Sequence, residues 1–521
     1  MFLESGLINK LKDKIALLFL IAVALASTAI FTYLCWKRHM ALFNYEYIDL
    51  AEIINLSWNT ACGRIFYQTI NPNQYGLFSL HFSPIILLIA GFFIIFKHPI
   101  SIYIAYNFVL AAAAIPLFCL GKRVLNDSLT ALAISLAYIF YAPLRSMYML
   151  SDLDPALLAI PFIFLFFVSF EKKKIKMVFV WTLLILACKE DMGLLVSVLG
   201  VYLLCHKHFR RAGVLMLISG FFYFLIVARL ISLFGIYNKE SLYVFLKYNS
   251  FAENLDFIIL HPGQFLSHIA QCKHDIILLQ LLKPVFFFPL LSYELYLSAS
   301  SVLHVFLCKR AMEFGRTYYA FSIVPFMFIA LVYMLRRIRN RFTFFSENTR
   351  MVVVRSLGFL FVFSCFYSNF VPNLIGYLRE DRLNNEAFRN VDNIYDKRFY
   401  EFTKDAKTAW ELINLIPKDA PVMATADLCA PLATRKTVYV FPYPYSSHNA
   451  GSNEPIDFER MRFFLDKTEY LLINYEYKGY GAGAYPSFTI KELDEIVDDL
   501  LRSSDWRVLR RTERLLLLEK R

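Results

Sequence analysis

Apolar residues recur along this chain in runs longer than the buried face of a soluble helix or strand, and the runs follow one another with little between them. The first, from Ile15 to Leu34, is long enough for a bilayer core of roughly 30 Å and follows a basic leader, Met1 to Lys14. Its length, and the lack of a small-residue cleavage site before Trp36, read as an uncleaved anchor rather than a signal peptide. Further runs lie near 78–96, 100–120, 128–150, 155–170, 177–188, 192–205, 212–235, 276–308, 317–335 and 351–371. Together they predict a polytopic α-helical membrane protein of about eleven transmembrane helices, occupying residues 1–371. From about Val371 the apolar periodicity stops, and 372–521 reads as a separate α/β domain. There VMATA, TVYVF and EYLLIN have the pattern of buried strands, FTIKELDEIVDDLL that of an amphipathic helix, and WRVL with LLLLEK that of a closing strand pair. Tyr443 to Pro455, rich in Ser, Asn, Gly and Pro, reads as a mobile loop.

Composition agrees with the pattern. With 58% hydrophobic and 17% aromatic residues over 521 positions, the chain carries more apolar surface than one soluble core buries. The net charge of +12 is not that of a nucleic-acid surface, because the cations sit in short clusters between apolar runs. Those clusters, Lys122/Arg123, Lys172/Lys173/Lys174/Lys176, Lys207/Arg210/Arg211 and Arg336/Arg337/Arg339/Arg341, should all be cytoplasmic. With the N-terminus inside, that holds only if one early run fails to cross. The run from His81 to Lys97, short and opening with HFSP, is the one expected to lie in the interface or re-enter. A first outer loop (36–99), the turn 151–154, the segment 236–275 and the C-terminal domain then share the outer face of a cytoplasmic membrane. Nine cysteines without a CxxC pair indicate neither a zinc site nor a disulfide framework.

Charges that interrupt apolar sequence are the candidates for chemistry. Glu46, Asp49 and Glu52 are spaced three apart in YEYIDLAEIINLSWN and so share a helical face, either a solvated acidic face or a source of a general base at the membrane surface. Asp152 and Asp154 in SMYMLSDLDPALL could hold a divalent cation such as Mg or Mn through hard oxygens, while Asp154 ahead of Pro155 is equally the expected start of a helix. Lys189, Glu190 and Asp191 in ILACKEDMGLLV lie between two apolar runs, where ionisable residues are costly unless used, which favours a functional role over an interfacial turn only. Lys189 would suit a phosphate. Arg316 before Tyr318 and Tyr319 is a further phosphate candidate or a snorkelling residue, and His81 is a further outer-side donor. There is no P-loop, GxSxG or HExxH, which disfavours a nucleotide-driven pump, an α/β-hydrolase and a zinc protease.

The segments IDLAEIINLSWNTACGR, LHFSPI, SDLDPALLAIP, CKEDMGLLVSVLGVYLL, YYAFSIVPFMFIA and IPKDAPVMATADLCAPLATRKTVYVFP, in that order, resemble the prokaryotic membrane-protein family known as domain of unknown function 2079. The likeness runs from about Tyr45 to the C-terminus. The family's Phe-Asp-Leu-Gly appears as IDLA, keeping Asp49; its second acidic position there is Ile54; its Phe-Asp-Phe-His-Pro resembles SDLDP; and its His-Tyr pair resembles Tyr318-Tyr319. Asp49, His81, Lys189, Glu190 and Asp191 match. That family is in turn similar to the GT-C glycosyltransferases, and the resemblance implies a polyprenyl-phosphate-linked sugar as donor, Asp49 as base, Asp152 and Asp154 as a second acidic site, and Lys189 and Arg316 on the phosphate side. A transporter or flippase of a lipid-linked or small polar substrate is the main rival, though the inverted repeats that would support it are not evident. A third reading makes the helices a scaffold for an outer binding domain.

Overall fold

The structure is a computed structural model. It describes residues 2–42, 48–70, 81–150, 153–234, 251–271, 279–307, 320–370, 400–441, 458–476 and 490–521. These fall into two compact units, one drawn from 1–31, 106–228 and 243–382, the other from 32–105, 229–242 and 383–521.

The N-terminal anchor is a single helix, α1 (Phe2–Ala41). It is followed by α2 (Ile48–Ala61), α3 (Ile86–Ile95), α4 (Ile100–Ala112), α5 (Ala114–Leu125), α6 (Ser128–Ile139), α7 (Ala142–Leu150), α8 (Ala159–Glu171), α9 (Ile175–Leu186), α10 (Met192–Leu204) and α11 (Arg210–Phe234). Among the described residues, four helices are long and apolar enough to cross a membrane: Lys10–Ala41, Ile100–Leu125, Lys207–Ile231 and Glu347–Ser368. Five more are apolar but shorter, including Ile86–Ile95, whose ten residues span about 15 Å at 1.5 Å per residue, half a bilayer core. The run 276–308 does not form one helix. Its described part breaks into 3-10 turns at Lys283–Val285, Phe288–Leu291 and Tyr293–Ser298 before a helix at Ala299–Leu307. Pro284 and Pro289 remove backbone donors there, and Phe286 and Phe287 take positive φ, so the α-helical ladder cannot propagate.

In the first unit the helix Ile323–Arg341 is central. It is buried continuously from Ile323 to Leu335, as expected of a segment apolar on every side. Around it, α5 and α6 make a hairpin closed at Asn126, in the left-handed conformation that asparagine tolerates, and at Asp127, which caps α6 by accepting from Thr130 N at 3.1 Å. Asp127 also receives Arg355 at 2.8 Å, joining the Glu347–Phe370 helix to the cap. The four basic clusters meet at one end of this unit: Arg123 donates to Glu171 O at 3.0 Å, Arg336 lies 4.0 Å from the Glu171 carboxylate, His208 Nε2 lies 3.4 Å from Lys173 O, and Arg339 donates to Leu125 O.

Helices α10 and α11 approach backbone to backbone through Gly193 against Gly220 and Gly200 against Gly213. A Cβ at Gly200 would lie 2.5 Å from Leu217 N and 2.8 Å from Gly213 O, distances no real Cβ keeps. Small residues permit this approach where lipid supplies no hydrophobic drive for helix association. Gly200→Ala is therefore expected to lower thermal stability in detergent by about 1–3 kcal/mol, the cost of overpacking. Gly91→Ala on α3, where an added Cβ meets nothing within 4 Å, should leave the melting temperature unchanged or slightly raised; equal effects at the two sites would refute the packing argument.

The second unit is organised on a five-stranded sheet of order β2-β1-β3-β5-β4. Its strands are β1 (Val422–Thr425), β2 (Val438–Phe441), β3 (Tyr470–Asn474), β4 (Trp506–Arg511) and β5 (Leu515–Lys520), each overlapping a segment read as a strand from the sequence. The first three are parallel and fully buried, and β5 and β4 continue the sheet antiparallel. Met423, Tyr439, Phe441, Leu471, Ile473, Leu516 and Trp506 build its core with the helices Phe458–Asp466 and Ile490–Arg502. The segment Tyr443 to Pro455 lies outside the described residues.

Candidate functional site

The most concentrated buried charge in the first unit lies at the end of α8, α9 and α10 away from the basic clusters. After α7 the chain turns through Leu153, a buried leucine at φ +66, a conformation costly for a non-glycine residue and found where surrounding structure imposes it. Asp154 follows. Its Oδ1 accepts from Ala156 N at 2.8 Å, capping the 3-10 turn Pro155–Leu158, and its Oδ2 accepts from Lys189 Nζ at 2.7 Å. The cap expected of Asp154 is thus present, and the same carboxylate pairs with Lys189.

Lys189 belongs to the turn between α9 and α10, closed by Met192 N donating to Lys189 O at 3.2 Å and Gly193 N to Glu190 O at 3.3 Å. It is 5% exposed and Glu190 1%. Burial alone would push the ammonium toward neutrality, but Asp154, Asp191 and Glu190 together outweigh it and hold the lysine pKa above its ordinary value. The Nζ also lies 5.9 Å from the centre of the Phe321 ring. The result is a buried ammonium held in its charged form by the neighbouring carboxylates.

The described donors do not form a Mg or Mn site. No group of three His, Cys, Asp or Glu that could hold a metal ion occurs among the described residues, and both oxygens of Asp154 are engaged by Ala156 N and the Lys189 ammonium. Asp152, Glu46, Arg316, Tyr318 and Tyr319 lie outside the described residues.

Two residues of this unit escaped the sequence reading. Tyr106 on α4 is fully buried within electrostatic reach of Asp154, and its hydroxyl makes no hydrogen bond among the described residues. Arg145 on α7, 2% exposed, donates to Ser27 Oγ at 2.7 Å and Ile139 O at 3.1 Å, with its guanidinium 4.2 Å over the Phe31 ring. A single cation in YAPLRSMYML was the signal that could have found it.

Asp49, Glu52 and His81 belong to the second unit. Asp49 stands exposed in the first turn of α2, Glu52 one turn on is buried, and His81 is half-buried. The polar face of α2 continues through Asn55 and Asn59, both fully buried against the C-terminal part of the chain. Asn55 uses its whole amide there. Its Nδ2 donates to Ala433 O (2.9 Å) and Arg435 O (2.8 Å), and its Oδ1 accepts from Asn59 Nδ2 (3.2 Å) and Thr69 N (3.1 Å). Thr69 Oγ1 both donates to Val438 O and accepts from Val438 N at 2.8 Å, covering edge strand β2. Trp410 Nε1 adds a bond to Met40 O at 3.0 Å. The helix carrying Asp49 is therefore fixed to the α/β fold by a fully satisfied polar network. Asn55→Leu would leave two carbonyls and an N–H buried without partners, each costing roughly 1–3 kcal/mol. It is expected to lower the melting temperature and to open 426–441 to limited proteolysis; an unchanged digestion pattern would show that the network does not hold the two together.

The family described as "Predicted membrane protein (DUF2079)" matches residues 38–512. The chain belongs to this family. It is an integral membrane protein, mostly helical, with a small C-terminal sheet. Among curated proteins no sequence matches this DUF2079 member. Among solved structures it is similar to ArnT from Cupriavidus metallidurans bound to undecaprenyl phosphate, at 11% identity over 96% of this chain and 97% of that one, with a TM-score of 0.47. It is also similar to an Archaeoglobus fulgidus oligosaccharyltransferase tethered with an acceptor peptide, at 10% identity over 87% of this chain and 69% of that one, TM-score 0.39. A further similar structure is archaeal oligosaccharyltransferase AglB from the same organism in complex with an inhibitory peptide and a dolichol-phosphate, at 12% identity over the same shares, TM-score 0.38.

Proposed function

We propose that this DUF2079 protein is a GT-C-type glycosyltransferase that moves a sugar from a polyprenyl-phosphate donor to an acceptor on the outer face of a cytoplasmic membrane. The observation that carries the reading is Lys189, a buried ammonium kept charged by Asp154, Glu190 and Asp191 at the end of the helical unit away from its basic clusters. By the positive-inside rule the basic end is cytoplasmic, which puts Lys189 toward the outer face.

In the proposed reaction the acceptor oxygen attacks the anomeric carbon as the bond from that carbon to the phosphate oxygen breaks. Asp49 takes the acceptor's proton, and polyprenyl phosphate leaves with the electron pair. A cation at the phosphate is what such a step needs, since negative charge grows on the departing oxygen. Lys189 would supply it, and the donor class follows the resemblance carried by the motifs around Asp49, His81 and Lys189.

The test is transfer of radiolabelled sugar by the purified protein from a panel of polyprenyl-phosphate sugars. Transfer to any acceptor supports the reading. A well-folded protein that transfers from none of them, but moves a lipid-linked sugar across a vesicle membrane, would replace the enzyme with the flippase.

A further inference from the structure

The opposite end of the helical unit holds a cavity of about 740 Å³. Five cations line it, Lys173, Lys207, Arg336, Arg337 and Arg341, against one carboxylate, Glu171. A cluster of loop cations left to solvate itself would spread apart by mutual repulsion; here they converge on one concave space, and the fold spends buried groups on holding them there. Glu294, fully buried, grips Arg337 in a two-point fork at 2.6 and 2.8 Å, with the guanidinium 4.2 Å over the Tyr293 ring. Glu171, the one acid, accepts from Tyr333 OH at 2.6 Å and stands 4.0 Å from Arg336. Lys173, Lys207 and Arg341 make no ion pair among the described residues.

We infer that this cavity is a binding site for a phosphate-bearing anion, distinct from the Lys189 site. The chemistry matches in three respects. Fork-shaped guanidinium groups and ammonium groups converging from different elements are the donors that phosphate oxygens take. Arg337, already fixed by Glu294, presents a preorganised edge rather than a side chain that must be ordered on binding. The tyrosines Tyr202, Tyr293 and Tyr333 give the walls an apolar surface with hydroxyl edges, and directly after Arg341 the aromatic residues Phe342, Phe344 and Phe345 are exposed. Exposed aromatic residues beside a basic cavity fit a lipid headgroup reaching in from the membrane surface; a soluble phosphate compound would use the same cations.

The experiment compares two triple variants of the full-length protein in detergent. One, Lys207→Gln/Arg336→Gln/Arg341→Gln, removes three lining cations and leaves the Arg337–Glu294 fork intact. The other, Lys176→Gln/Arg210→Gln/Arg211→Gln, removes the same charge from the same end outside the cavity lining. Native mass spectrometry follows binding of phosphatidylglycerol against phosphatidylcholine, and calorimetry follows inorganic phosphate and pyrophosphate. The expected result is binding weakened about tenfold or more in the first variant and little changed in the second, at equal melting temperatures. Loss confined to phosphatidylglycerol identifies a lipid headgroup, and loss with inorganic phosphate or pyrophosphate identifies a soluble ligand. Equal weakening in both variants would reduce the effect to diffuse charge attraction and overturn the site, as would failure of every probe to bind the unmodified protein.

Discussion

Lys189→Met is expected to lower the melting temperature on the order of 10 °C and to abolish sugar transfer. The replacement leaves the buried Glu190 and the partly buried Asp154 without the ammonium that neutralises them. Removing one member of a buried pair typically costs about 3–5 kcal/mol, because the remaining charge keeps its desolvation penalty and loses its partner. Asp154→Asn on the same background removes one of the uncompensated negative charges while keeping a side chain able to cap the Pro155–Leu158 turn. The double variant should therefore recover a good part of the lost stability. Its transfer activity should stay absent, because the cation proposed to meet the leaving phosphate is gone. Recovery of activity along with stability would make the pair a structural device and remove Lys189 from the chemistry.

Asp49→Asn should show the reverse profile, with transfer reduced by roughly 10²–10⁴-fold and stability nearly unchanged. A positioned general base contributes a factor of that size, and an amide of the same shape cannot take the proton. The side chain is exposed in the first turn of α2, where a carboxylate gains about 0.3–1 kcal/mol from the helix N-terminus. Single-turnover transfer with the donor in excess, beside a melting curve, separates the two quantities. Transfer within a few-fold of the unmodified protein would dismiss Asp49 as the base.

The sequence made some of this legible and concealed the rest for identifiable reasons. Strands β1, β2, β3 and β5 of the tail were readable because each contains a short apolar run, and β1, β2 and β3 are buried on both faces. The family could be read because its motifs retain order along most of the chain. The run 276–308 misled, since hydropathy registers its apolar side chains and ignores what Pro284 and Pro289 do to the backbone. Lys189 and Asp154 were each conspicuous as charges in apolar sequence, yet their pairing joins residues 35 positions apart through a helical hairpin, which periodicity does not encode. Asn55 and Asn59 were not singled out beside the carboxylates of the same helix. Their burial was hidden because the surface they meet belongs to the other end of the chain.

That separation bears on how the protein is made. Asn55 finds its partner carbonyl 378 residues later, and ribosomes add roughly 5–20 residues per second, so α2 emerges on the order of 20 to 80 seconds before its binding surface exists. During that interval two asparagines and Thr69 must keep their polar groups hydrated beside a growing set of membrane helices. The segment bearing Asp49 therefore reaches its final setting late although it is translated early, only after its partners at 433–438 have been released.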